Sequence, residues 1–287
     1  MSKVAMFLVH ILAYMPLTVL YLLSDFIIYP VVRFVIRYRR NVVEKNLALA
    51  FPQKGERERL RIERKSYHFL SDVFVETMKM ERMSKEELRT RFIWDNIDEV
   101  MNSPTEERPF TLCYFAHYGN WEWSICNFVS DMPEMTTYIY SPLHNKAFEK
   151  WLRKSRSKFG NTPLEMYSVS NLLESLYENK QKRIIYAGSD QLPKKQYVKH
   201  FHRFMGIKTK VLTGTESLIN KYNMNVYYCV IKRIKRGYYI CTAERIDDPI
   251  ERKDGEWPIT DAYYDRLQQQ IHEQPEFWLW SHDRWRR

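Results

Sequence analysis

The sequence predicts an α/β fold: a mixed central sheet flanked by helices, with a membrane-anchoring apolar helix at the N-terminus. Three observations predict it. Short apolar runs alternate with segments of helical period from residue 110 onward. The first 36 residues are almost free of charge, whereas charged residues make up 28% of the 287-residue chain, too many for a protein immersed throughout in lipid. No repeat, low-complexity tract or linker divides the remainder. Residues 1–40 therefore read as an anchor segment and residues 41–287 as one domain.

From Val4 to Leu23 no residue is charged. That is close to the roughly 20 residues a spanning helix needs, and His10 and Pro16 are tolerable within one. A second apolar stretch, Phe26–Ile36, carries Arg33 and runs into Arg37, Tyr38, Arg39 and Arg40. This basic cluster outweighs Lys3 and predicts that the following chain is cytoplasmic. The apolar run is longer than a signal-peptide core and no A-x-A-like site follows it, which disfavours a cleaved leader. A shallow anchor, in which Val4–Ile36 enters the bilayer without crossing it, is the other reading.

Next come a short amphipathic helix, Asn41–Phe51, ended by Pro52, and a longer one, Arg57–Met80. The latter places Leu60, Tyr67, Leu70, Phe74 and Met78 on one face. Pro104 and Pro109 bracket a polar loop before a buried strand, Phe110–Ala116. Thr136–Tyr140 reads as a strand, Ala147–Phe159 as a helix, Ile184–Ala187 as a buried strand and Thr215–Tyr222 as a helix. Asn225–Lys232 and Tyr238–Ile246 form a hairpin around Lys235–Gly237. Ile259–His272 is a final helix. The aromatic tail from Pro275 to Trp285 reads as a core strand, with Phe277 and Leu279 facing opposite to Trp278 and Trp280, and with a structural His282.

Cys113, Cys126, Cys229 and Cys241 lack metal-binding spacing, and three of them fall in strands. They predict buried, reduced thiols. The net charge of +10 points to an anionic partner. No helix-turn-helix, zinc or RNP-like pattern supports nucleic acid.

The segment FTLCYFAHYGNWEW, residues 110–123, carries the chemistry. A strand delivers His117, Gly119 makes the turn, and Asn120 caps a helix. Glu122 stands in the first turn of that helix, where the dipole favours a carboxylate. A neutral imidazole beside a fixed carboxylate is a general base. In order, HYGNWE (117–122), the arginine-bearing block Arg153–Gly160, the SDQ of Ser189–Gln191 and the PEFWLWSHDRW tail resemble the bacterial lipid A biosynthesis acyltransferases. More distantly they resemble the glycerolipid acyltransferases, which share an H-x-x-x-x-D motif.

The resemblance implies a glycerolipid-acyltransferase-like fold. It implies transfer of an acyl chain from an acyl carrier protein thioester to a hydroxyl of a lipid A precursor, at the cytoplasmic face of the bacterial inner membrane and among its lipids. His117 then deprotonates the hydroxyl, which attacks directly without an acyl-enzyme, and Glu122 orients His117. Backbone N–H groups near Gly119 and the guanidinium of Arg156 are candidates for the oxyanion, with Arg153 as the alternative. Asp190 follows a strand end, where it supports the fold or meets substrate or a basic residue. Leu192 stands where many relatives carry a second acid, so no metal site is expected. No bound cofactor is expected either; the donor, acyl-acyl carrier protein or acyl-CoA, is a substrate. Asn120, Gln191, Lys208 and Lys210 are substrate-binding candidates, with Lys194, Lys195 and Lys199 adding to the basic stretch. The alternatives are an acyltransferase for another lipid acceptor (lysophospholipid, glycerolipid or aminoacyl lipid) and a non-catalytic, membrane-tethered anion binder.

Overall fold

The computed structural model describes residues 3–128, 135–194, 196, 198–246 and 256–286, and side chains from residue 6 onward. Its central sheet contains β1 (Phe92–Trp94), β2 (Phe110–Phe115), β3 (Thr136–Tyr140), β4 (Thr162–Glu165), β5 (Arg183–Gly188), β8 (Asn225–Lys235) and β9 (Tyr238–Arg245), in the order β1-β9-β8-β2-β5-β3-β4. Only the β8–β9 hairpin pairs antiparallel. A separate two-stranded hairpin joins β6 (Val198–Phe204) to β7 (Ile207–Leu212). All six residues of β2 are buried, as a continuous apolar run between parallel neighbours requires.

The expected helices are present with shifted ends: α3 (Arg40–Ala50), α4 (Glu56–Met80), α8 (Lys146–Arg156), α10 (Gly214–Lys221) and α11 (Pro258–Glu273). The helix that Asn120 was expected to cap is α7 (Trp121–Asn127), and three further helices were not foreseen: α5 (Lys85–Arg91), α6 (Ile97–Met101) and α9 (Val169–Glu178). On α4, Tyr67 and Met78 are buried but Phe74 faces out. The expected single apolar face is replaced by burial on several sides, because the N-terminal segment also packs on this helix. The four cysteines are buried and unpaired, three of them in β2, β8 and β9. The tail is not a strand. After a 3-10 turn at Pro275–Phe277, only Trp278 makes a β-bridge, to Tyr118. The tail crosses the strand ends instead of running alongside one.

The N-terminal segment comprises α1 (Lys3–Tyr14), a break at Pro16, α2 (Leu17–Leu23) and two π-helical turns, Ser24–Ile28 and Val31–Val35. The one helix long and apolar enough to cross a membrane among the described residues is Leu17–Val35, not Val4–Leu23, because Pro16 interrupts the earlier run. Its inner face is polar. Tyr21 Oη donates to Glu76 Oε1 (2.6 Å), Ser24 Oγ to Asp72 Oδ1 (2.9 Å) and Arg33 Nη2 to Glu63 Oε2 (2.9 Å). Asp25 is gripped by both Nη atoms of Arg236 at 2.7 Å. Its outer face is apolar, with Phe26 75% and Val35 76% exposed. This arrangement inverts that of a soluble helix pair, and such an exposed patch marks a contact surface.

Glu76 on α4 lies under the sequence HYGN. It is fully buried and accepts from Tyr21 Oη, from Asn120 Nδ2 (2.7 Å) and from Tyr239 Oη (2.9 Å). Burial nevertheless pushes its carboxyl up from 4.5 to about 7. The folded state therefore keeps a proton over a range in which the unfolded chain has lost it. The stability this confers is complete below pH 4.5 and is lost as pH rises through 7. Relative to Glu76→Gln, the wild type should lose about 3 kcal/mol of unfolding free energy across that window, measured by denaturant titration in detergent at stepped pH. Parallel curves for the two proteins would contradict it.

Candidate active site

The site forms where two neighbouring parallel strands end together. The β2–β5 register places Phe115 beside Gly188, so the loops leaving their carboxyl ends, 116–120 and 189–191, meet. His117 Nδ1 lies 2.7 Å from Asp190 Oδ1, and the His117 backbone N–H donates to Asp190 Oδ2 at 3.1 Å. Trp278 Nε1 donates to the same Oδ2 at 3.0 Å. Asp190 is 3% exposed. Burial would raise its carboxyl, but the charge and hydrogen bonds of His117 and the indole of Trp278 outweigh burial and hold it below the ordinary range. An ionised carboxylate on Nδ1 fixes the proton there and leaves the lone pair on Nε2. Nε2 is 3.1 Å from the carboxamide nitrogen of Gln191, which is exposed. The His117 side chain is 22% exposed and faces a cavity of about 200 Å³.

Arg153 and Arg156 line that cavity together with His117 and Gln191, while Tyr138, Leu143 and Leu152 give it apolar walls. One cavity thus holds a base, cations and hydrocarbon-compatible surface.

Glu122 is not the partner of His117. Its two oxygens receive Arg156 Nε and Nη2, each at 2.7 Å, and Trp121 Nε1 at 3.0 Å. Burial would lower the Arg156 guanidinium, but Glu122 outweighs it and keeps the cation fully protonated. The role expected of Glu122, fixing the histidine, therefore falls to Asp190, while Glu122 fixes the arginine.

The amides near Gly119 are also engaged. His117 N–H is on Asp190, Tyr118 N–H on the Ala116 carbonyl (2.7 Å) and Gly119 N–H on the Phe277 carbonyl (3.0 Å). They are not free to receive an oxyanion. Asn120 is fully buried: Oδ1 accepts from Trp123 N–H at 2.9 Å, and Nδ2 serves Glu76. It caps α7 and is out of a substrate's reach.

Lys208 and Lys210 lie on β7 and do not line the cavity. Lys208 stacks over Phe201 at 5.1 Å. Lys199 is exposed on β6, Lys194 donates to Tyr167 Oη (2.7 Å), and Lys195 lies outside the described residues. Arg153 Nη1 donates to Tyr140 Oη at 3.2 Å.

The tail contributes more than the sequence suggests. Besides the Trp278–Asp190 bond, Leu279 N–H donates to the His117 carbonyl at 3.0 Å, so residues 277–279 bind both the His117 and the Asp190 loops. The motif itself was visible; its position across the strand ends was not.

Gly119 has φ +60°, and a Cβ there would sit 2.6 Å from Ile231 Cγ2. Both the left-handed backbone and the close approach demand glycine. Gly119→Ala should cost about 2–4 kcal/mol of stability by denaturant titration. A cost near zero would show that the turn is not constrained in this way.

A histidine held by a buried aspartate at the carboxyl ends of parallel strands, facing a cationic and apolar cavity, is an arrangement of the kind found in α/β enzymes. The chain belongs to the bacterial lipid A biosynthesis acyltransferases, whose family profile matches residues 3–287. It is accordingly an acyltransferase of the lipid A class. No individual protein of curated function matches it.

Proposed function

We propose that the protein transfers a fatty acyl chain directly from a thioester to a hydroxyl of a lipid A precursor. His117 Nε2 takes the hydroxyl proton, and the resulting imidazolium is stabilised by Asp190 through Nδ1. The hydroxyl oxygen attacks the thioester carbon and forms a tetrahedral intermediate. On collapse the carbon–sulfur bond breaks, and the departing thiolate takes the proton back from Nε2. No acyl-enzyme is needed, because the acceptor is itself the nucleophile. The oxyanion falls to the guanidinium of Arg156, whose Nη1 carries no protein hydrogen bond among the described residues while Glu122 clamps the other two nitrogens. The Gln191 carboxamide occupies the position beside Nε2 that the acceptor hydroxyl would take. The single observation that carries this reading is the 2.7 Å bond from His117 Nδ1 to a buried Asp190, with Nε2 turned to the cavity.

The apolar outer face of residues 6–36, polar on its inner side and followed by Arg37, Arg39 and Arg40, supports a membrane anchor that lies in the interface against α4. On this reading residues 1–40 seat the catalytic domain, 41–287, on the cytoplasmic face of the inner membrane. The acyl carrier protein is the preferred donor, since its acidic surface would meet the basic strand of Lys208 and Lys210; coenzyme A is the alternative.

The test uses purified protein in detergent with a lipid A precursor, supplied with either acyl-acyl carrier protein or acyl-CoA and read by mass spectrometry. One acyl chain should be added. His117→Ala should lower kcat by about 10²–10⁴-fold. The double change Lys208→Gln/Lys210→Gln should raise KM for the carrier-protein donor alone. Near-normal turnover without His117 would refute the mechanism, and equal or better acylation of a lysophospholipid would refute the acceptor.

A further inference from the structure

Arg284 is 0% exposed, and among the described residues no hydrogen bond joins it to a carboxylate. Removing a cation from water without a counter-charge is costly, so its retention calls for a return. The geometry shows what the guanidinium touches. Nη2 donates to Tyr264 Oη at 3.0 Å and to the Lys210 carbonyl at 2.7 Å. Tyr264 Oη in turn donates to the Ser189 carbonyl at 2.7 Å. The next two residues are Asp190, which holds His117, and Gln191, which meets its Nε2. Nε and Nη1 of Arg284 find no partner. The side chain therefore serves one line of contacts, running from the tail through α11 to the 189–191 turn.

We propose that Arg284 is a positioning residue for the His117–Asp190 pair: through Tyr264 it fixes the Ser189 carbonyl, and with it the turn that presents Asp190 and Gln191. The inference rests on the reading of that pair as the reacting base. Two further contacts support it. Trp285 Nε1 donates to Thr209 Oγ1 at 2.8 Å, so the residue after Arg284 is pinned to the same hairpin that supplies the Lys210 carbonyl. Asp190 and Arg284 also act in opposite directions on the same two neighbours, the Tyr264 hydroxyl and the His282 ring, so both face the same small group of side chains.

Two substitutions cut the line at different points. Tyr264→Phe keeps the ring and loses both hydroxyl contacts. Arg284→Met keeps most of the volume and loses the charge and donors. Each is measured for kcat, KM and thermal midpoint, alone and in the Asp190→Asn background. Each should lower kcat about tenfold with KM changed less than about twofold. Added to Asp190→Asn, neither should cause a further loss, because the group being positioned is already gone. Arg284→Lys, which keeps the charge and one donor, should recover part of the rate. Should Arg284→Met fail to fold, Tyr264→Phe carries the same comparison. Losses that multiply in the Asp190→Asn background, or an unchanged kcat in Tyr264→Phe, would overturn the positioning role while leaving the base intact. An unchanged kcat in Asp190→Asn itself would overturn the pair and the inference together.

Discussion

The hydrogen bond from His117 Nδ1 to Asp190 at 2.7 Å joins residues 73 positions apart, and most of the architecture can be understood as the means of making it. Strands β2 and β5 must pair in parallel and end level, which requires their intervening chain to cross over and return. Both must be apolar on both faces, as a central parallel pair is. The carboxylate must then be buried yet remain ionised. It manages this by accepting three hydrogen bonds, from the ring and amide of His117 and from Trp278. The tail is the third party to the arrangement. It crosses the strand ends and ties the His117 loop to the Asp190 loop.

The carboxylate next to the histidine in sequence does different work. Glu122 and Arg156 form a buried pair with two bonds of 2.7 Å, so the cavity that His117 faces also presents a firmly held cation. In the mechanism we propose, a base and a cation that are each held by their own acid act at once on the reacting carbonyl, without either neutralising the other. Beneath them Glu76 gathers Tyr21 of the N-terminal segment, Asn120 of the turn after His117 and Tyr239 of β9. The N-terminal segment is thus bonded to the base of the turn that carries His117.

Much of this was legible in the sequence. The strands β2 and β5 were visible as uninterrupted apolar runs, α7 through its asparagine cap, and His117 through its place at a strand end. The partner of His117 was not, because register between strands distant in sequence leaves no periodic trace, and Glu122 is the nearer acid along the chain. Phe277–Trp280 alternates as a strand would, yet its burial comes from crossing other strands, a distinction that alternation cannot make. The edge strand β4 was missed because it is short and contains Pro163. The inverted N-terminal helix was read by its apolar content alone; its polar face became meaningful only opposite Glu63, Asp72 and Glu76.

The decisive question is which acid holds His117. Proton and nitrogen NMR of protein labelled at histidine, in detergent and near neutral pH, reads this directly. The His117 ring should be the Nδ1–H tautomer with a strongly downfield Nδ1 proton. That signal should vanish in Asp190→Asn and persist in Glu122→Gln. Loss of the signal in Glu122→Gln with retention in Asp190→Asn would contradict the central claim.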